Sequence, residues 1–512
     1  MDRTSKLCSF VEKTRPQRDN GRSGLLSTRM HQVLLRASAE FGTGLFQRQD
    51  LQRRVAEALD ETGRWEKRKS PLAAPLVVFF VLAMALFRSL SIKCLMLQFF
   101  LWMRDSTPGL PLRAVTPEAM CHARARLGTA PLKTLFQKLA VPARESARFQ
   151  GLRPWAIDGV HMTMPDTPAN VAEFGKPGTS RGVAAFPQML AVALVDASGH
   201  LIRDVVLGRT DAPERSGCEE MVKRLSSEPH PSDELAAEDC DQLLGGLGSG
   251  DLLMMDRGFA AVWLFQAIMA RKIRFLCRIS EVWKPKPTKR LGPGDWLVQV
   301  RGPGVNPKEA KRLKPEGGGG GDITLTLRMI EYRIRGGERV RLLTDLLDPR
   351  RHPAAELAPG YHLRWEGELC YDEIKTHLAT VNQGKLHTIL RSKSPDGVVQ
   401  EAYGLFAAYN LVRSLILEAS EEHGIPPLEI SFTEALQVIR HALPRFERAN
   451  DADLPRLKRE LLADIAACRL DRPRRHRCAP RAIKVKMSNW KLKRPTDRQQ
   501  RVNFAEELKL CG

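Results

Sequence analysis

The chain has 512 residues, with 80 Lys or Arg against 59 Asp or Glu and a formal net charge of +21 at pH 7. That length exceeds what one hydrophobic core usually supports, so about three domains are expected, and the positive excess favours a polyanionic partner, nucleic acid before anionic membrane. The ten cysteines form no CxxC pair, so neither a zinc site nor a disulfide framework is indicated, and a reducing cytoplasm fits best.

The N-terminus, MDRTSKLCSFVEKTRPQRDN, lacks the apolar run of a secretory signal. Residues 1–150 read as a helical domain, from LQRRVAEALDETGRWEKR through PEAMCHARARLG to PLKTLFQKLA, with Pro and Gly at the helix ends. Within it LVVFFVLAMALF (Leu76–Phe87) is membrane-like in composition but spans only twelve residues, where crossing takes about 20. It is expected to be a buried helix, and no membrane partner is expected. After GLRP the texture changes. WAIDGVHM reads as a buried strand, and FPQMLAVALVD and HLIRDVVLG read as a hairpin joined by Ala-Ser-Gly.

A polar, acidic region over about 211–245 contains the helix ERSGCEEMVKRLSS; then follow a strand DLLMMD, a helix FAAVWLFQAIMARK and a strand IRFLCRI. The expected order is three strands, helix, strand, helix, strand. Residues 281–344 read as a mostly β insertion with Pro-rich KPKPTK and a run of five glycines, Gly317–Gly321. No GK[ST] follows that run, so it reads as linker rather than phosphate cradle. Residues 151–280 and 345–415 therefore bracket one core. Residues 416–512 form a helical C-terminal region ending in a basic tail, with thirteen Lys or Arg and two acids over Arg469–Arg501. Such density suits a phosphate-contacting arm.

Three carboxylates stand out by position: Asp158 in the first strand of the core, Asp256 at the end of the fourth, and Glu368 in YHLRWEGELCYDEIK after the insertion. An Asp in or ending a buried strand must be paired or bind metal. Two of them and a Glu make hard oxygen ligands suited to Mg²⁺ or Mn²⁺. On an α-helix Tyr361, Arg364, Asp372 and Lys375 fall within roughly 40° of Glu368, while Leu363, Cys370 and Ile374 lie on the other side. The stripe is either a solvated face with i,i+4 pairs such as Arg364–Glu368 or a functional surface. His161, Asp166 and Glu173 follow Asp158 closely, but loop polar residues are ordinarily just solvated. Arg257 could touch phosphate or pair with Asp256.

The segments AIDGVHMTMPDTPAN, LLMMDRGF and YHLRWEGELCYDEIK resemble the three acidic motifs of DDE transposases of the insertion-element-four family. The Y-x2-R-x3-E-x6-K signature of that family is met by Tyr361, Arg364, Glu368 and Lys375. The resemblance extends over about residues 30–415. It implies an α/β fold: a ribonuclease-H-like catalytic core, a mixed sheet flanked by helices, interrupted by the β insertion and preceded by an all-α domain for DNA-end binding. It implies Asp158, Asp256 and Glu368 as catalytic ligands of two Mg²⁺ ions, with Mn²⁺ as substitute, and Tyr361, Arg364 and Lys375 as DNA contacts. Trp365 beside them is expected to stack on a base or to pack, and Arg257 joins the candidate DNA contacts.

The function so implied is binding of the inverted-repeat ends of its own element, followed by cleavage and transfer into target DNA. It is expected to proceed with a homodimer in the synaptic complex, in a bacterial-type cytoplasm. The rivals are a structure-specific nuclease, a transposase-derived DNA-binding protein without catalysis and, more distantly, a membrane-associated protein.

Overall fold

The computed structural model describes residues 50–66, 72–106, 115–140, 147–179, 182–227, 247–306, 321–334, 339–378, 390–450, 452–470 and 508–511. The first 49 residues, the end of the acidic region, most of the glycine run and the basic tail over 471–507 lie outside the described residues.

Five helices come first: α1 (Leu51–Thr62), α2 (Ala74–Leu86), α3 (Ile92–Ser106), α4 (Pro117–Leu127) and α5 (Ala130–Leu139). Proline stands in the first turn of α2, α4 and α5, where a missing N–H leaves no hydrogen bond unmade. Thr116 caps α4 by accepting from the N–H of Ala119 at 3.2 Å. The membrane-like run is α2, and every one of its residues is buried. Among the described residues no helix is long and apolar enough to cross a membrane.

Strand β1 (Arg153–Thr163) follows, then α6 (Pro168–Phe174), the two-residue strands β2 (Gly178–Thr179) and β3 (Gly182–Val183), β4 (Gln188–Asp196) and β5 (Ile202–Arg209). Next come α7 (Glu214–Ser227), β6 (Asp251–Met255), α8 (Val262–Ala270) and β7 (Arg274–Ile279), the strand–helix order the sequence predicts. The insertion supplies β8 (Lys286–Gly292), β9 (Asp295–Pro303), β10 (Asp322–Ile334) and β11 (Arg339–Thr344). The chain then forms α9 (Ala354–Gly360), a 3₁₀ turn (Tyr361–Arg364), α10 (Trp365–Asp372) and a π-helical turn (Glu373–Leu378), followed by α11 (Pro395–His423), α12 (Phe432–Arg448), α13 (Leu454–Ala467) and β12 (Leu508–Leu510).

Strands line up as β5-β4-β1-β6-β7-β11-β10-β9-β8 in one ten-stranded sheet, with β12 pairing β10. β6 runs parallel to both β1 and β7; the other pairs are antiparallel. The insertion thus prolongs the core sheet. Its Pro-rich stretch becomes the edge strand β8, with register shifts at Pro287/Lys289, because only an edge or a bulge tolerates residues that cannot complete the ladder. Buried Arg328 of β10 fixes this extension: it pairs bidentately with Asp295 at 2.6 and 2.8 Å and donates to the His352 carbonyl at 2.7 Å, just ahead of α9.

One large core contains α1, α2, α5, α11, α12, α13 and one sheet face, including Val160, Met162 and Ala193, so residues from both sides of position 150 share it. Buried polar groups cross the same seam. Arg88 pairs with Glu401, and Arg124 bonds to Gln400, Ser392 and the Gly397 carbonyl. The opposite sheet face, with Trp155 and Ile157, packs against α7 and α8.

Candidate active site

The parallel register of β1 and β6 runs from Arg153↔Asp251 to Ala156↔Met254. The same offset, continued two residues, sets Asp158 beside Asp256, which immediately follows the last residue of β6. Each aspartate is steadied by its own backbone: Asp158 Oδ1 accepts from Gly159 N at 2.8 Å and Asp256 Oδ1 from Gly258 N at 2.7 Å.

Glu368 arrives on α10, which crosses β1. Buried Gly367 makes this possible, since a Cβ there would lie 2.9 Å from that of Ala156. Tyr371 pins the same helix: its hydroxyl donates to the Asp158 carbonyl at 2.6 Å and accepts from Ala193 N at 3.1 Å. Below the helix lies a buried charged network. Glu366 meets His200 at 2.8 Å, and Glu373 in the π turn pairs with Arg413 and accepts from the Tyr409 hydroxyl at 2.7 Å. Burial works against protonation of His200, but Glu373 and Glu366 outweigh it and raise its pKa.

The segment expected as one α-helix changes type twice, so its residues do not share one open stripe. Cys370 and Ile374 are buried as expected and Leu363 is half-buried. Lys375 is exposed; its neighbours include Asp158 and Asp372, and burial of its stem lowers its pKa. Tyr361 was expected to offer its hydroxyl to phosphate. It is 6 % exposed and donates to the Met255 carbonyl at 2.9 Å, because the tight 3₁₀ turn carries its ring down onto the end of β6.

Arg364 is also buried. It donates to Glu368 Oε1 at 2.7 Å, approaches Asp158 Oδ2 at 3.8 Å, and has its guanidinium carbon 5.3 Å from the centre of the half-buried Trp365 ring. The i,i+4 pair of Arg364 and Glu368 is therefore present. Arg257 is exposed beside Asp256. His161 bonds to the Thr210 hydroxyl at 3.3 Å, Asp166 pairs with Lys176 at 2.9 Å, and Glu173 is exposed.

The residue the sequence reading missed is Glu214, first in α7. Burial and the charges of Asp158 and Asp256 push its carboxyl up to about 7. Burial likewise pushes Asp158 up to about 6, with Asp256 and Glu368 adding to it against the Gly159 N–H and Arg364. Burial and neighbouring acid charge thus raise the proton affinity of Asp158 and Glu214, as happens to hard oxygen donors when the balancing charge is a divalent cation. The donor type fits such an ion. Glu368 is held by Arg364, and among the described residues no three His, Cys, Asp or Glu side chains are grouped to hold a metal.

Residues 150–411 match the family model described as transposase DDE domain. With the mixed sheet and its flanking helices, that match defines the class: a DNA transposase with a ribonuclease-H-like core, an enzyme of DNA cleavage and strand transfer that depends on divalent cations. Residues 44–137 match the model described as insertion element 4 transposase N-terminal. The chain belongs to the insertion-element-four family of DDE transposases.

It is 28% identical over 443 residues to the transposase InsG for insertion sequence element IS4 of Escherichia coli, covering 85% of this chain and 90% of that protein. A shorter match, 33% identical over 108 residues, covers 20% of this chain and 35% of a putative transposase InsZ of Escherichia coli. Among solved structures, the piggyBac transposase synaptic complex with hairpin DNA matches with a TM-score of 0.39 and 11% identity over 77% of this chain and 76% of that one.

Proposed function

We propose that Asp158, Asp256 and Glu368 hold two Mg²⁺ ions, replaceable by Mn²⁺, and that the enzyme cuts and rejoins DNA at the inverted-repeat ends of its own element. The observation that carries this reading is the register that sets Asp158 beside Asp256 under a helix bearing Glu368. Two such ions supply Lewis acidity to the attacking and leaving oxygens of an in-line displacement at phosphorus.

The chain's own groups do the rest. Lys375 and Arg257, both exposed, grip phosphates beside the scissile bond. Arg364 exchanges Glu368 for a DNA phosphate and so frees that carboxylate to turn toward the aspartates. Trp365 offers a ring on which a base can stack. In the first step water breaks a phosphodiester and leaves a 3′-hydroxyl; in the second that hydroxyl attacks a target phosphodiester, displacing one strand end as the new bond forms. A second copy serves the element's other end, since both must be brought together. Residues 1–150 contribute to end binding.

Asp158→Asn, Asp256→Asn and Glu368→Gln test the assignment, because an amide keeps the shape and loses the charge. Each is expected to abolish cleavage and joining while retaining DNA binding. Mg²⁺-dependent cleavage by any one of them removes that residue from the site.

A further inference from the structure

Strand residues alternate between faces, and the two helix layers pack against opposite faces of β1. Ala156, on the face of Asp158, meets Gly367 of α10; Gly159, on the other face, meets Glu214 of α7. A Cβ at Gly159 would overlap the Glu214 carboxylate. A Cβ at Gly258 would lie 2.9 Å from Asp256 Oδ1 and 3.4 Å from Glu214 Oε2. With no side chain at either glycine, the Glu214 carboxylate packs over Gly159 on the far face of β1 and comes near Asp256 just beyond the end of β6.

On its outer side Glu214 lines a cavity of about 520 Å³ together with His161, Arg215, Gly258, Trp263 and Asn306. The adjacent cation is engaged elsewhere: Arg215 Nε donates to the Gly258 carbonyl at 2.6 Å. Among the described residues no Lys, Arg or His forms an ion pair with Glu214. The start of α7 favours one negative charge through its dipole, but this does not account for the two glycines that leave room for the carboxylate beside Asp256.

We infer that Glu214 is a fourth carboxylate donor of the divalent-cation centre, entering from the cavity side, so that the centre is built by helices from both faces of the sheet. The inference rests on the proposed role of Asp158 and Asp256. It assigns the cavity as the entry for the hydrated cation, and it gives Gly159 and Gly258 their function: they admit the acid.

The test is Mn²⁺ binding to the full chain without DNA, read by the electron spin resonance of free Mn²⁺, with circular dichroism confirming folding. Glu214→Gln is expected to weaken Mn²⁺ binding about tenfold or more. Gly159→Ala, which displaces Glu214 without changing it, should do the same, and the double variant should lose no more than either single change. Glu220→Gln, exposed on the same helix, should bind as wild type.

Wild-type binding by folded Glu214→Gln overturns the inference, as do losses that multiply in the double variant. Should Glu214→Gln fail to fold, Gly159→Ala decides in its place, and wild-type affinity there overturns the inference. Asp158→Asn separates the two levels. If it weakens binding while Glu214→Gln does not, only the fourth donor is lost; if neither does, or if the wild type binds no Mn²⁺, the metal centre itself is refuted along with it.

Discussion

The placement of Asp158 beside Asp256 was legible because an acid in or just beyond a buried strand conflicts with its surroundings in a way that local sequence displays. Glu214 and Tyr371 were not. Their roles depend on which helix covers which face, and Glu214 reads locally as an ordinary acid in a helix's first turn. The placement of Tyr361 differs from a continuous helical stripe because 100° per residue does not hold across a 3₁₀ turn.

Tyr361→Phe should leave DNA affinity unchanged, whereas Lys375→Ala should weaken it by about 1.5–3 kcal/mol, read by a gel-shift titration. Equal losses in both would return Tyr361 to the DNA surface. With folded carboxyl pKa values raised to about 6 and about 7, the folded state binds more protons than the unfolded one between roughly pH 4 and 7, so this contribution to stability falls as pH rises through that window. The melting temperature of wild type should therefore drop between pH 5 and 7.5 more than that of Asp158→Asn. Added Mg²⁺ should restore it at pH 7.5 and do little at pH 5. Parallel pH curves for the two proteins would contradict the raised Asp158 pKa.

At the scale of elements, α10 owes its position to a close approach above β1 and a charged anchor behind it. Helix and strand were each legible from pattern. Their contact was not, since nothing local in WEGELCY marks Gly367 as the point of approach. Gly367→Ala should push α10 outward from Ala156 and slow cleavage while leaving DNA affinity near wild type. An unchanged single-turnover rate would show that the helix has room to spare. Arg413 is the counter-charge for Glu373 in the π turn, and removing one partner of a buried ion pair strands the other. Arg413→Gln should cost about 3–5 kcal/mol in denaturant unfolding. A loss below about 1 kcal/mol would mean that His200 and Tyr409 satisfy Glu373 unaided.

At the scale of the whole molecule, the succession of strands and helices along the chain was readable from the alternation of short apolar runs and amphipathic segments. The sharing of one core by α2, α11 and α13 was not, because long-range packing leaves no mark at either site alone. Production of residues 150–411 by themselves should give an aggregating or molten product lacking near-ultraviolet dichroism, and a cooperatively melting fragment would show that the shared core is dispensable.

The stretch over 472–501 near the C-terminus is rich in Lys and Arg. Replacing its Lys and Arg between 472 and 501 with Gln, while keeping β12, should weaken DNA binding regardless of sequence and flatten its salt dependence by about 0.9 in log–log slope per lost phosphate contact. An unchanged slope would locate the phosphate contacts elsewhere. The central claim, that this sheet edge cuts DNA at the ends of its own element, is tested most directly by incubating the purified chain with Mg²⁺ and the DNA flanking its gene, then mapping every cut strand to the nucleotide. Cuts that need a divalent ion and leave a 3′-hydroxyl at the element's boundary are the expected result; scattered cuts, or cuts that persist in a chelator, would contradict it.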